Sequence, residues 1–225
     1  MKYEELIKLH PELFNNNNVL FEIIIDAETI KTWVTSKKND LKKHGLPEEW
    51  GEIGVVYDDP YIIIVRDLVK FPSGKLGSYF RLINSADLRG GQSSVVLPVV
   101  DGNILLMKQF RHTTRKWHWE VPRGFGEPNT TAAENAKKEV LEEIEGEIIE
   151  LVSLGHYHSN TGIEGVTVQL FYARLVSVGK VNQEEGIVSY KLFEVKQVKE
   201  MIRDAEITDG FTIAAFTRAK LRGLI

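Results

Sequence analysis

The spacing of apolar positions changes along the chain, and each change marks an element. Near the start it is helical. "YEELIKLH" stops at Pro11, and a second helix is expected to begin after Asp26, whose side chain suits an N-cap, and to end at Gly45. Ile30, Trp33, Val34 and Leu41 are among its apolar positions. The pattern then becomes strand-like. "EIGVVYDDPYIIIVRDLVKF" reads as two strands about an Asp-Asp-Pro turn, and "SYFRLIN" as a third after the turn at "PSGK". "DLRGGQSS", at 87–94, is polar, carries paired glycines and reads as a linker.

A second apolar block follows. "SVVLPVV" and "NILLMKQFR" flank Asp101-Gly102, a strong hairpin signal. "WHWEVPRG" is a short strand running into a glycine loop. "TAAE", at 131–134, has the form of a capping box, so a helix is expected from about Ala132 through "AENAKKEVLEEI". Ala133, Ala136, Val140 and Ile144 form its apolar stripe. Strands are expected at "IIELVSLGHYH", "VTVQLFYARLV" and "GIVSYKLFEV", then helices at "KQVKEMIRDA" and "GFTIAAFTRAKL". Strands flanked by separated helices predict a mixed sheet between helical layers, an α/β fold.

One helix face raises a chemical question. Glu139, Glu142 and Glu143 lie three and four positions apart, where like charges cost about 0.2–0.5 kcal/mol per pair. The face is either wet or the seat of a cation. Mg²⁺ suits the second reading, because it takes one or two protein carboxylates, keeps several waters and bridges to phosphate. The loop "PRGFGEP" directly before the helix supplies glycines that let a phosphate approach closely.

Bulk composition narrows the field. The chain has 225 residues, 43% hydrophobic and 27% charged, with a net charge of −4. That is ordinary for a globular protein, and the absence of a long basic run argues against nucleic acid as a partner. There is no cysteine, which excludes disulfides, thiolate metal sites and a cysteine nucleophile. "MKYEELIKLHPELF" is charged early, unlike a signal peptide, and no stretch reaches the roughly 18 apolar residues of a membrane span. A cytoplasmic setting is the simplest expectation.

The stretch Gly124–Gly146, "GFGEPNTTAAENAKKEVLEEIEG", resembles the Nudix hydrolase signature G-x5-E-x7-R-E-U-x-E-E-x-G-U, where U is a bulky aliphatic residue. Glu139, Glu142 and Glu143 fall on its three core acids. Thr130 stands in place of its first glutamate, Lys138 in place of its arginine, and Glu145 in place of its glycine. Loss of the acid together with weakening of the arginine reads as a linked change, with looser support because lysine lacks the bidentate fork. "QFR" at 109–111, "WEVPRG", "SNTGIEG" and "ITDGFTIAAFTRAKL" look like the ADP-ribose pyrophosphatase branch. The resemblance implies a Nudix-type α/β/α sandwich at 91–225, a β-rich dimerisation region at 53–90, and a helical extension at 1–52 that resembles nothing assignable.

The same resemblance implies site roles. Glu139, Glu142 and Glu143 would bind Mg²⁺, with Mn²⁺ as an alternative, joined by the main-chain carbonyl of Arg123. Arg111, Glu120 and Gly124 would meet the substrate, a small nucleoside diphosphate linked to another group such as ADP-ribose. Glu143 would serve in catalysis, and Glu164 in the "SNTGIEG" loop would help activate water, although counting places the expected acid on Val166. A homodimer is implied as well. An altered signature leaves a second reading open, a weakly catalytic Nudix-fold module that binds nucleotides or sugar phosphates for regulation. His156 and His158 share a strand face without a third zinc ligand, and Trp117 and Trp119 are expected in the core.

Overall fold

A computed structural model of the chain describes residues 1–165 and 167–225. Two compact units emerge, one of Met1–Leu88 with Asn160–Gly165, the other of Arg89–Ser159 with Val166–Ile225.

The first unit contains α1 (Tyr3–Leu9), β1 (Glu22–Ile24), α2 (Ala27–Lys43), β2 (Gly54–Asp58), β3 (Ile62–Lys70), β4 (Leu76–Asn84) and α3 (Ser85–Leu88). β3 is its axis. β4 pairs antiparallel with the whole of β3, while β2 and β1 pair with successive parts of it, at 63–66 and 68–70. Asp26 caps α2 as its sequence position implies, accepting a hydrogen bond from Thr29 N at 2.8 Å. Leu6 and Phe14 pack with Ile63, Val65 and Ile83 to form the core.

A buried charge cluster ties the first helix to this sheet. Asp67 lies inside β3 and takes the Arg81 guanidinium side-on, Nε to Oδ2 at 2.5 Å and Nη2 to Oδ1 at 3.1 Å. The Tyr3 hydroxyl donates to Asp67 Oδ1 at 2.7 Å, and Arg81 Nη1 donates to Leu13 O at 2.8 Å. Burial and the neighbouring Asp67 carboxylate raise the Tyr3 pKa. These bonds correct the expected division at 52/53. Residues 1–52 are no separate helical extension, because they supply a strand to the sheet, two residues to its core and a ligand to Asp67.

The second unit contains β5 (Ser94–Val100), β6 (Asn103–Arg111), β7 (Lys116–Glu120), β8 (Arg123–Gly124), α4 (Ala132–Ile144), β9 (Glu147–Tyr157), β10 (Val168–Ser177), β11 (Ile187–Phe193), α5 (Val195–Arg203) and α6 (Gly210–Leu221). The strand order is β11-β6-β5-β10-β9, with β7 beside β6 and β8 beside β5. Only β5 and β10 run parallel, so the sheet is mixed. Asp101 and Gly102 both adopt positive φ, 47° and 77°, as a two-residue hairpin between β5 and β6 requires.

Alternation on β5 and β6 divides the apolar residues between two layers. Val96, Leu105 and Met107 meet Ala136, Val140 and Ile144 of α4. Val95, Leu97 and Leu106 meet Val198 of α5 and Ala215, Phe216 and Ala219 of α6. The result is the expected α/β/α sandwich, with α4 alone on one face. Trp119 packs against the second layer, whereas Trp117 is half exposed beside Phe110.

Replacing Asp67 with alanine leaves Arg81 without its buried partner. The expected loss in stability is about 3–5 kcal/mol by chemical denaturation. A loss of less than about 1 kcal/mol would show that the cluster does not hold the first unit together.

Candidate active site

The site is organised by how α4 begins and ends. Thr131 Oγ1 accepts from Glu134 N at 3.2 Å, and Glu134 Oε2 accepts from Thr131 N at 2.9 Å, closing the expected capping box. At the other end, Gly146 N donates to Val140 O at 3.0 Å. Segment 179–182 covers two further carbonyls: Gly179 N reaches Ile144 O and Asn182 N reaches Glu143 O, each at 3.0 Å. This wrapping delivers Glu185, in the short turn Gln183–Glu185, toward the acids of α4.

The acidic face is split. Glu142 is 48% exposed and lies 3.7 Å from Lys138, so it belongs to the wet side of the helix. Glu143 is 1% exposed. Its Oε2 accepts from Arg123 N at 3.1 Å, yet burial, followed by the charges of Glu139 and Glu185, pushes its pKa up to about 9. Burial, then Glu185 and Glu142, raises Glu139 to about 7. Among the described residues Glu139 has no hydrogen bond or ion pair, and its carboxylate lies so close to Gly124 that a Cβ there would collide with it. A side chain at 124 would have to displace the end of the Glu139 side chain.

Arg111 and Arg123 converge on Glu120. Arg111 Nε donates to Glu120 Oε2 at 2.7 Å, and Arg123 Nη2 lies 3.1 Å from the same oxygen. Glu120 is 2% exposed, with two guanidiniums over it. The Arg111 charge reaches Glu143 and opposes its upward pKa shift.

The departures from the signature have local partners. Lys138 pairs with Glu127, three residues before the expected acid position, and Thr130 Oγ1 donates to Glu127 O at 2.7 Å. Glu145 takes the left-handed conformation, φ 48°, that favours glycine. Its Oε2 accepts from Lys180 N at 3.0 Å, in space left open by Gly179. Lys138 thus keeps an acidic partner, supplied from a different position.

Glu164 belongs to the first unit, where it bridges Leu82 of β4, and Val166 lies outside the described residues. Glu185 escaped the sequence reading because a polar turn far from the signature carries no periodic or spacing signal.

A family model described as NUDIX domain matches residues 91–212, more than half of the chain. The chain belongs to the Nudix family. Comparison with curated proteins gives no match. Among solved structures the chain is similar to one titled "Crystal structure of ADP compounds hydrolase", with a TM-score of 0.65 and 15% identity over 76% of this chain and 91% of that one. That likeness concerns the Nudix fold.

The donor chemistry of the Nudix site fits a hard divalent cation. Glu139 and Glu143 are carboxylates pushed toward protonation by burial and by neighbouring acids, against the weaker opposing charges of Lys138 on Glu139 and Arg111 on Glu143. Among the described residues no group of three His, Asp or Glu closes on one point. Mg²⁺ needs only one or two protein carboxylates beside its waters.

The raised values set a pH dependence for the metal-free protein. Folded values of about 7 and about 9 lie above the ordinary 4.5. Stability from the protonated acids is therefore full below about pH 4.5 and is lost as pH rises through the folded values. In chelator, the melting temperature is expected to fall from about pH 5 to about pH 9, and Glu143→Gln is expected to flatten that fall. A flat wild-type profile would contradict the assigned burial.

Proposed function

We propose that this Nudix protein is a divalent-metal-dependent hydrolase of nucleoside diphosphates linked to another group, with ADP-ribose or a related nucleotide sugar as the substrate class. The observation that carries this reading is the pair of acids on α4, Glu143 buried and Glu139 half-buried, with Glu143 in the electrostatic reach of Arg111. Such a pair is a seat for a cation, and an arginine beside it is a seat for the phosphate that the cation would bridge. The likeness to a structure titled as an ADP compounds hydrolase supports the substrate class.

Glu139 and Glu143 would hold the metal, which when bound would polarise phosphoryl oxygens and lower the pKa of a water. Gly124 lets the Glu139 carboxylate lie against the loop backbone. Arg111 binds the diphosphate. Glu185, close enough to both acids to raise their pKa values, takes the proton from the attacking water, the role that the sequence assigned to Glu164. Attack at one phosphorus breaks the P–O–P link and yields two phosphate monoesters, AMP and ribose 5-phosphate from ADP-ribose. The alternative of binding without turnover rests on the changes at Thr130, Lys138 and Glu145, each of which has a local partner, and the assay of turnover separates the two readings.

Incubation with ADP-ribose and Mg²⁺ or Mn²⁺ is expected to release AMP. Glu185→Gln is expected to lower kcat by about 10²–10⁴-fold with the fold intact. Cleavage of no nucleoside diphosphate sugar by wild type would overturn the function, and unchanged kcat in the variant would remove Glu185 from the base role.

The homodimer implied by the resemblance is proposed to form through the first unit. Phe21, exposed, has its ring 5.5 Å from that of Phe71 and 6.2 Å from that of Tyr79, and Leu20 and Tyr61 are also exposed. Light scattering at micromolar protein is expected to give twice the chain mass, and a monomer mass would refute this.

A further inference from the structure

We infer that Glu120 is a positioning residue, a buried carboxylate that fixes Arg111 so that one end of its guanidinium faces substrate phosphate. The inference rests on the proposed diphosphate substrate and adds a residue that substrate never touches.

Three observations support it. First, Glu120 sits at the end of β7, opposite Met107 of β6, and is 2% exposed. Arg111 pairs with Lys116 at the far end of the β6–β7 ladder and Arg123 lies on β8 beside β5, yet both guanidiniums reach this one carboxylate.

Second, the two arginines are held differently. Arg123 has three anchors. Its Nη2 lies 3.1 Å from Glu120 and its Nη1 3.4 Å from Asp209 Oδ1, and its guanidinium stacks 4.6 Å above the Phe211 ring. Asp209 is itself fixed as the N-cap of α6, accepting from Thr212 N at 2.8 Å. Arg123 therefore acts as a brace that ties Glu120 to α6.

Third, among the described residues Arg111 has one anchor, Glu120. Its Nε donates to Glu120 Oε2 at 2.7 Å, and Nη2 lies 2.5 Å from the same oxygen without the alignment of a hydrogen bond. With that edge turned onto Glu120, Nη1 is the remaining end of the guanidinium. A free arginine carries about 2 kcal/mol of rotamer entropy that a ligand must overcome on binding. A fixed one does not, and preorganised donors are the kind that strengthen binding and transition-state stabilisation. Glu120 supplies that fixation from beneath, while Arg123 keeps Glu120 in place.

The test is a double-mutant cycle on the full chain with Mg²⁺ and ADP-ribose, reading KM and kcat separately. Glu120→Gln keeps the shape and removes the charge. It is expected to raise KM about ten- to a hundred-fold, the range of a charge-assisted hydrogen bond, with a smaller change in kcat. Arg111→Ala is expected to do the same. The double variant is expected to be no worse than Arg111→Ala alone, because a positioning residue has nothing to position once the arginine is gone. A merely structural role would instead multiply the two losses. Where Glu120→Gln fails to fold, Glu120→Asp, which keeps the charge and withdraws it by one methylene, takes its place in the cycle. Unchanged KM in a folded Glu120 variant, independent losses in the double variant, or an Arg111→Ala protein with wild-type KM would each overturn the inference. Should wild type bind ADP-ribose without cleaving it, the proposed function fails and the same cycle is read as calorimetric affinity. Wild type with no affinity at all overturns both.

Discussion

Two neighbouring carboxylates on α4, Glu143 buried and Glu139 half-buried, set the terms for the second unit. Glu139 and Glu143 cannot both stay ionised comfortably in that setting, and their raised pKa values express the cost. Several features keep them there regardless. The stripe of Ala136, Val140 and Ile144 anchors α4 to the sheet. Gly124 leaves no side chain to push Glu139 outward. The main-chain N–H of Arg123 holds Glu143, and segment 179–182 closes the end of the helix. A fold that spends structure on concentrating negative charge makes sense when a cation completes the site, which is the arrangement proposed here.

Around this centre, altered signature positions are balanced locally. Lysine at 138 meets Glu127 in the loop, and Thr130 steadies the same residue through its main chain. Glu145 accepts a conformation that costs a non-glycine residue about 1–2 kcal/mol, and its carboxylate recovers a hydrogen bond to Lys180 N. The glycine missing at 145 has in effect a counterpart at 179, whose lack of a side chain makes room for that carboxylate. A motif read position by position registers these as losses, whereas in space they are exchanges.

The legible parts of the sequence were those governed by local chemistry. The capping box at Thr131 and Glu134, the Asp-Gly hairpin and the Asp26 cap each depend on residues within a turn or two, and each formed. The α/β/α layering followed from apolar alternation. What escaped was non-local. Asp67 and Arg81 read as ordinary strand residues, yet together they bind the amino-terminal helix and erase the expected boundary at residue 52. Glu185 gave no signal, because its approach to Glu143 depends on how the chain returns from β10. Glu120 was given contact with substrate by the family resemblance, which says nothing of what packs over the side chain. Two arginines do.

The account stands or falls on whether the buried acids bind a divalent cation. The most direct measurement is the melting temperature at about pH 8, in chelator and across millimolar Mg²⁺ or Mn²⁺, for wild type and Glu143→Gln. Wild type should gain stability with free metal as RT ln(1 + [M]/Kd), and the variant should lose most of that gain while being the more stable of the two in chelator. A wild-type protein indifferent to metal, or a variant that responds equally, would contradict it.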